Sequence, residues 1–135
     1  MAESFKFELV SPERLLVSED VERVIIPGTE GEMTVMASHA PVMTTIKPGI
    51  VTVKPTSGGE QRYAIFGGFA DILPDVCTVL AESAVHVDDL NRDDLRKRIE
   101  EARHEAEHAE DPEARSRAEF YLDQLTTLEG AIIPA

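Results

Sequence analysis

One stretch of the chain carries the spacing of a catalytic metal site. His104-Glu105-Ala106-Glu107-His108 matches H-E-x-x-H, in which two histidines one helical turn apart hold zinc and the glutamate serves as base. The apolar residues around it argue against that use. Leu95, Ile99, Ala102, Ala106 and Ala109 recur in alternating steps of four and three, the spacing of a coiled-coil seam. With Ala102, Ala106 and Ala109 in the seam, His104 and His108 turn outward. A two-helix hairpin is expected to supply neither a cleft nor a third ligand. The expectation is no catalytic metal, and at most adventitious metal binding at the surface.

Three other features invite a chemical reading. Cys77 is the only cysteine, so it excludes an internal disulfide and fits a reducing compartment. Its place between Val76 and Thr78 predicts a buried core thiol, not a nucleophile. The glycines of Pro27-Gly28-Thr29-Glu30-Gly31 do not make the G-x-x-x-x-G-K-[ST] of a phosphate-binding loop, and the acids Glu30 and Glu32 would repel phosphate. Glu30 and Glu32, read as alternate residues of one strand, point the same way, toward solvent or a partner. No nucleophile, base or metal set accompanies them. Catalytic, cofactor and metal residues are therefore all expected to be absent.

The elements that would hold these residues follow two periods. Up to about Val87 the apolar residues come in short runs broken by Gly and Pro every eight to twelve positions. Phe5 to Val10 alternates apolar and charged residues, as a half-buried strand does. Further runs lie at 15–17, 24–26, 33–36, 42–46, 50–53, 63–66, 69–73 and 76–80. Pro27-Gly28, Lys47-Pro48-Gly49, Ser57-Gly58-Gly59 and Pro74-Asp75 separate them with turn chemistry. Many short strands at this spacing predict an all-β sandwich, or flattened antiparallel barrel, over residues 1–87.

From Asn91 onward the pattern is helical. A second seam runs through Ala114, Ala118, Tyr121, Leu125, Leu128 and Ile132. Asp111 and Pro112 are suited to open the second helix, and Asn91 to cap the first, with Asp93 and Asp94 favourable to its dipole. Residues 88–135 are thus expected to form an antiparallel α-helical hairpin. Three alanines in one seam bury little apolar surface, at about 0.8 kcal/mol per methyl. Such a hairpin holds loosely enough to move.

Charge limits the partners. The 135 residues carry a formal net charge of −13, and residues 82–135 hold 15 acids against 7 bases. That surface repels nucleic acid. No run approaches the apolar length of a membrane span, and Met1-Ala2-Glu3-Ser4 has no signal-peptide character. The expectation is a soluble chain without direct membrane insertion, attached to membranes only through partners.

The assembled pattern resembles the epsilon subunit of the proton-translocating rotary ATP synthase, the delta subunit of mitochondria. The resemblance covers nearly the whole chain. Phe7 to Glu13, Pro27 to Met33, Ser38-His39-Ala40-Pro41, Ile46-Lys47-Pro48-Gly49 and Gly67-Gly68-Phe69 carry it, in that order and followed by the hairpin. It implies a non-catalytic central-stalk subunit coupling rotation of the membrane c-ring to the catalytic head through gamma. It places Glu30, Gly31 and Glu32 against the c-ring, and His39 and Thr44 on the gamma side. From the residues alone, His39 reads equally as a turn histidine before Ala40-Pro41.

The resemblance also implies that the hairpin, with Leu95, Ile99, Ala102, Ala106, Tyr121, Leu125 and Leu128 in its seam, reaches the alpha/beta head and restrains ATP hydrolysis. It places the protein peripherally on the cytoplasmic face of a bacterial inner membrane. Two departures stand out. Ala37-Ser38 replaces Pro-Gly or Pro-Asn, a change that suits a strand. Leu90-Asn91-Arg92-Asp93-Asp94-Leu95 replaces the Ile-Asp-x-x-Arg-Ala of nucleotide-binding members, which argues against bound ATP. Two rival readings are a free-standing β-sandwich binding module with a recruiting hairpin, and a zinc hydrolase at residues 104–108.

Overall fold

The computed structural model describes residues 3–132, with side chains through Gly130. It divides into two compact units, Met1–His86 and Val87–Ala135. Among the described residues the first unit has nine strands: β1 (Phe5–Ser11), β2 (Arg14–Gly28), β3 (Gly31–Met36), β4 (Val42–Ile46), β5 (Gly49–Pro55), β6 (Gln61–Ile65), β7 (Gly68–Ile72), β8 (Val76–Ala81) and β9 (Ala84–His86).

β2 organises the sandwich. Its first half pairs with β1, from Arg14 opposite Ser11 to Val21 opposite Phe5. Its second half pairs with β3 on one side and β5 on the other, so Val24 faces both Val35 and Val53. One layer continues β1-β8-β7-β4, and β4 returns to β2 where Ile46 meets Gly28. The other layer continues β5-β6-β9. Alternate residues of both layers turn inward, and Phe7, Leu9, Val21, Val24, Ile26, Val35, Val51, Val53, Ile65, Ile72 and Val79 are fully buried. Burying an aliphatic or aromatic side chain of this kind contributes about 1.5–3 kcal/mol.

Three strand expectations need correction. The runs at 15–17 and 24–26 are one strand, because Ser18, Glu19 and Asp20 stay in the ladder opposite Glu8, Phe7 and Lys6. β1 and β8 run parallel, so the sandwich is not wholly antiparallel. Ala37-Ser38 is a turn: the His39 amide donates to the Met36 carbonyl at 3.2 Å, and Ser38 has φ +67°. A left-handed residue at the third position of such a turn is what Gly or Asn supplies without strain. A Gly or Asn in place of Ser38 would make this turn without that strain.

The second unit opens with a short 3-10 turn, Val87–Asp89, and two helices, α1 (Arg92–His108) and α2 (Pro112–Ile132). Asn91 caps α1, its side-chain oxygen accepting from the amides of Asp93 at 2.7 Å and Asp94 at 3.4 Å. Asp111 caps α2, accepting from the Ala114 amide at 2.7 Å, with Pro112 as the first helical residue. Leu95, Ile99, Ala102 and Ala106 of α1, and Leu125 and Leu128 of α2, are buried. Tyr121, Ala114 and Ala118 are half-buried. The side chain of Ile132 lies outside the described residues.

Candidate functional surfaces

The acidic turn joins β2 to β3. Gly28 pairs with Gly31, and Thr29 and Glu30 form the two-residue connection. The approach is close: a Cβ on Gly28 would lie 2.8 Å from the Gly31 carbonyl oxygen, and Gly31 itself has φ +136°. Glu30 therefore sits in the turn and not in the strand expected from its alternation with Glu32. Both carboxylates are exposed.

Thr29 fastens this turn to β4. Its amide donates to the Thr45 carbonyl at 3.1 Å, and the two hydroxyls lie 2.9 Å apart. The Lys47 amide donates to the Pro27 carbonyl at 3.1 Å and closes the same seam. The result is an open depression of about 320 Å³, lined by Gly28, Glu30, Gly31, Glu32 and Met33 on one side and Val42, Met43 and Thr44 on the other. Its lining holds two carboxylates and no base. The structure thus brings Thr44 together with Glu30, Gly31 and Glu32. His39 lies apart, half-buried in the turn before β4, its ring Nδ1 donating to the Ala40 carbonyl at 2.7 Å. That bond gives His39 the structure of a turn histidine, and its ring also remains partly accessible.

A second surface was not anticipated from the sequence. Cross-strand register aligns Thr45, Phe69, Leu80, Val10 and Leu15 in one row across β4, β7, β8, β1 and β2. Ala70, Val79 and Leu9, their neighbours in sequence, are buried, so this row faces outward. Leu15 is 54% and Leu80 48% exposed, whereas Phe69 and Val10 are half-buried. The parallel row beside it, Met43-Asp71-Thr78-Glu8-Ser18, is mainly polar. The signal was present as apolar doublets, Leu9-Val10, Leu15-Leu16 and Val79-Leu80. Strand residues alternate between faces, so a doublet puts an apolar side chain on each.

Cys77 is fully buried, and burial with the nearby Asp71 charge pushes its thiol up to about 12. It is a core thiol. His104 and His108 are exposed on α1, but the hairpin does form an open depression of about 500 Å³ there, lined by both rings, Glu105, Arg117 and Tyr121. The expectation of no cleft is corrected. Its small apolar wall explains the opening: Ala109, Ala114 and Ala118 leave space where larger seam residues would meet. Among the described residues no group of three potential ligands gathers around a common point. The amides of Asp93 and Asp94 at the start of α1 are already engaged by Asn91.

Comparison with known proteins agrees with this architecture. Residues 4–87 match the family model described as ATP synthase, Delta/Epsilon chain, beta-sandwich domain. The chain is 73% identical to the ATP synthase epsilon chain of Mesorhizobium japonicum and 65% identical to that of Rhizobium meliloti, each over the full length of both chains. Among solved structures, a chain of the Euglena gracilis mitochondrial ATP synthase (OSCP/F1/c-ring) superposes with a TM-score of 0.76 at 30% identity, covering 96% of this chain and 81% of that one. With its nine-stranded β unit, its two capped helices and this agreement along the whole length, the chain belongs to the ATP synthase delta/epsilon family, as a non-catalytic subunit of the complex.

Proposed function

We propose that the β unit is the coupling piece of the central stalk, with two surfaces of different chemistry for two partners. The acidic turn, with Glu30, Gly31 and Glu32, meets the polar loops of the membrane c-ring, where opposite charge sets register and orientation. The apolar row of Val10, Leu15, Phe69 and Leu80, which reaches β4 at Thr45, grips gamma, while Thr44 turns to the opposite face of β4 beside the acidic depression and His39 lies in the turn before that strand. Apolar surface suits a contact that stays buried through every rotation, because its stabilisation scales with the area removed from water and not with salt.

The observation that carries this reading is the fastening of Thr29 to Thr45. It joins the acidic turn to the strand that begins the apolar row, so the two surfaces share one rigid frame. The chain then sits peripherally on the cytoplasmic face of a bacterial inner membrane. Among the described residues no helix is long and apolar enough to cross a membrane. Residues 1–87 act as the gamma-binding domain, and the hairpin of residues 88–135, through contact with the alpha/beta head, restrains ATP hydrolysis.

The test is recovery of the complex. An antibody to this chain should recover gamma and the c-ring from detergent-solubilised membranes. A chain found only in the soluble fraction would favour a free-standing binding module. Deleting residues 88–135 should leave recovery and ATP synthesis intact while raising hydrolysis. Unchanged hydrolysis would remove the brake from this reading and leave the coupling role standing.

A further inference from the structure

We propose that His104 and His108 form a two-ligand site for a divalent transition cation, such as Cu²⁺, Ni²⁺ or Zn²⁺, at the end of α1. The rings stack with centroids 4.1 Å apart and planes 20° from parallel. Metal–nitrogen bonds of about 2.0–2.1 Å place two ligating nitrogens within roughly 3–4 Å of each other. Rings already this close need only a small rotation to share one cation.

The protonation pattern favours ligation. Nδ1 of His108 lies 2.9 Å from the His104 carbonyl. A carbonyl only accepts, so Nδ1 carries the hydrogen, and in the neutral ring that leaves the Nε2 lone pair for a metal. A backbone carbonyl holding the far nitrogen is the usual way a ligating histidine is oriented. The ring of His104 makes no hydrogen bond among the described residues. Both rings open onto the 500 Å³ depression of the hairpin, which leaves room for waters to complete the coordination shell. Glu105 and Arg117 line it with opposite charges that largely offset each other.

Two protein ligands make a surface chelate and not a structural or hydrolytic centre, consistent with the lack of a third ligand among the described residues. Its effect is mechanical. A cation joining residues one turn apart holds the last turn of α1 helical, where Ala109 is already extended and no glycine closes the helix. Binding therefore stabilises the hairpin next to its connection.

Titration calorimetry of the full chain with CuCl2, NiCl2 and ZnCl2 in a non-coordinating buffer tests this. One cation should bind per chain, with Cu²⁺ the tightest, and thermal stability should rise with occupancy. His104→Ala and His108→Ala should each lower affinity by at least about tenfold, since loss of either ligand ends chelation. Both positions are exposed and helical, so the variants should keep the parental circular dichroism. The proposal is overturned if either variant binds within about twofold of the parent, or if the parent gives no isotherm below millimolar cation.

Discussion

Thr29 and Thr45, 16 positions apart, are joined twice, by a backbone hydrogen bond of 3.1 Å and by a contact of 2.9 Å between their hydroxyls. This double tie fixes a charged turn that would otherwise hang from a single hairpin. Replacing Thr45 by Val keeps the backbone bond and removes the hydroxyl. The expected cost is about 0.5 kcal/mol, near the low end for a hydrogen bond because the pair is exposed. Urea unfolding should show this small loss, and hydrogen exchange at the Thr29 amide should speed up. An unchanged exchange rate would mean that the hydroxyl pair does not hold the turn.

Charge reversal at the turn should weaken coupling. Glu30→Lys together with Glu32→Lys places like charges at the proposed ring contact, with the larger loss at low ionic strength, where screening is least. ATP-driven proton pumping in membrane vesicles is the measurement. Gamma binding should survive, because the apolar row is untouched. Unaltered pumping would move the ring contact elsewhere.

The apolar row makes a complementary prediction. Leu80 is half exposed, so Leu80→Asp should change the stability of the isolated chain by no more than about 0.5 kcal/mol. In the complex it would bury an unpaired carboxylate, and affinity for gamma should fall at least about tenfold. A pull-down with purified gamma decides it. Full binding by Leu80→Asp would show that gamma uses another face.

Much of the frame behind these surfaces was legible in the sequence, and its failures share a cause. Val42–Ile46 was readable to the residue because turn chemistry brackets it on both sides. The asparagine and aspartate caps of the helices were readable because capping is a local property. Ser18-Glu19-Asp20 looked like a break because its polarity is local, while the partner that keeps it in the ladder, β1, is chosen by tertiary pairing. β9 is three half-buried residues with no alternation to detect. The apolar row needed register as well as pattern, since only pairing shows that residues 10, 15, 69 and 80 meet.

The cysteine gives a pH dependence whose sign follows from its burial. Burial, with the nearby Asp71 charge, pushes the native thiol from the ordinary 9.0 up to about 12. The contribution is fully present below pH 9, where the thiol is neutral in both states. Between about 9 and 12 the unfolded chain releases a proton that the native chain keeps. Unfolding then becomes easier by on the order of 1.4 kcal/mol per pH unit from this group. Cys77→Ala should flatten that part of the stability curve. An equally steep fall in the variant would assign the alkaline loss to other groups.

Nucleotide binding at the start of α1 is expected to be lost. A polyphosphate there would face Asp93 and Asp94, and the amides it would use already donate to Asn91. Titration of the isolated chain with Mg-ATP should give no stoichiometric isotherm below millimolar concentration. A micromolar isotherm would show that α1 binds nucleotide despite Asp93 and Asp94.

A rotor part is judged by how it carries load, and β2 sets the load path in this one. The strand is a single run of 15 residues with ladders to β1, β3 and β5, the last shifted in register at Glu22, and one pairing to β4 at Gly28. If the acidic turn meets the ring as proposed, a tangential pull on it would enter at the Gly28 end and be passed sideways into both layers along the strand. Many hydrogen bonds are then strained together in shear, where hairpins joined only at their ends would peel open one bond at a time. Under the proposed coupling role, a sandwich tied this way would twist as one body and spend little of each rotary step on its own deformation.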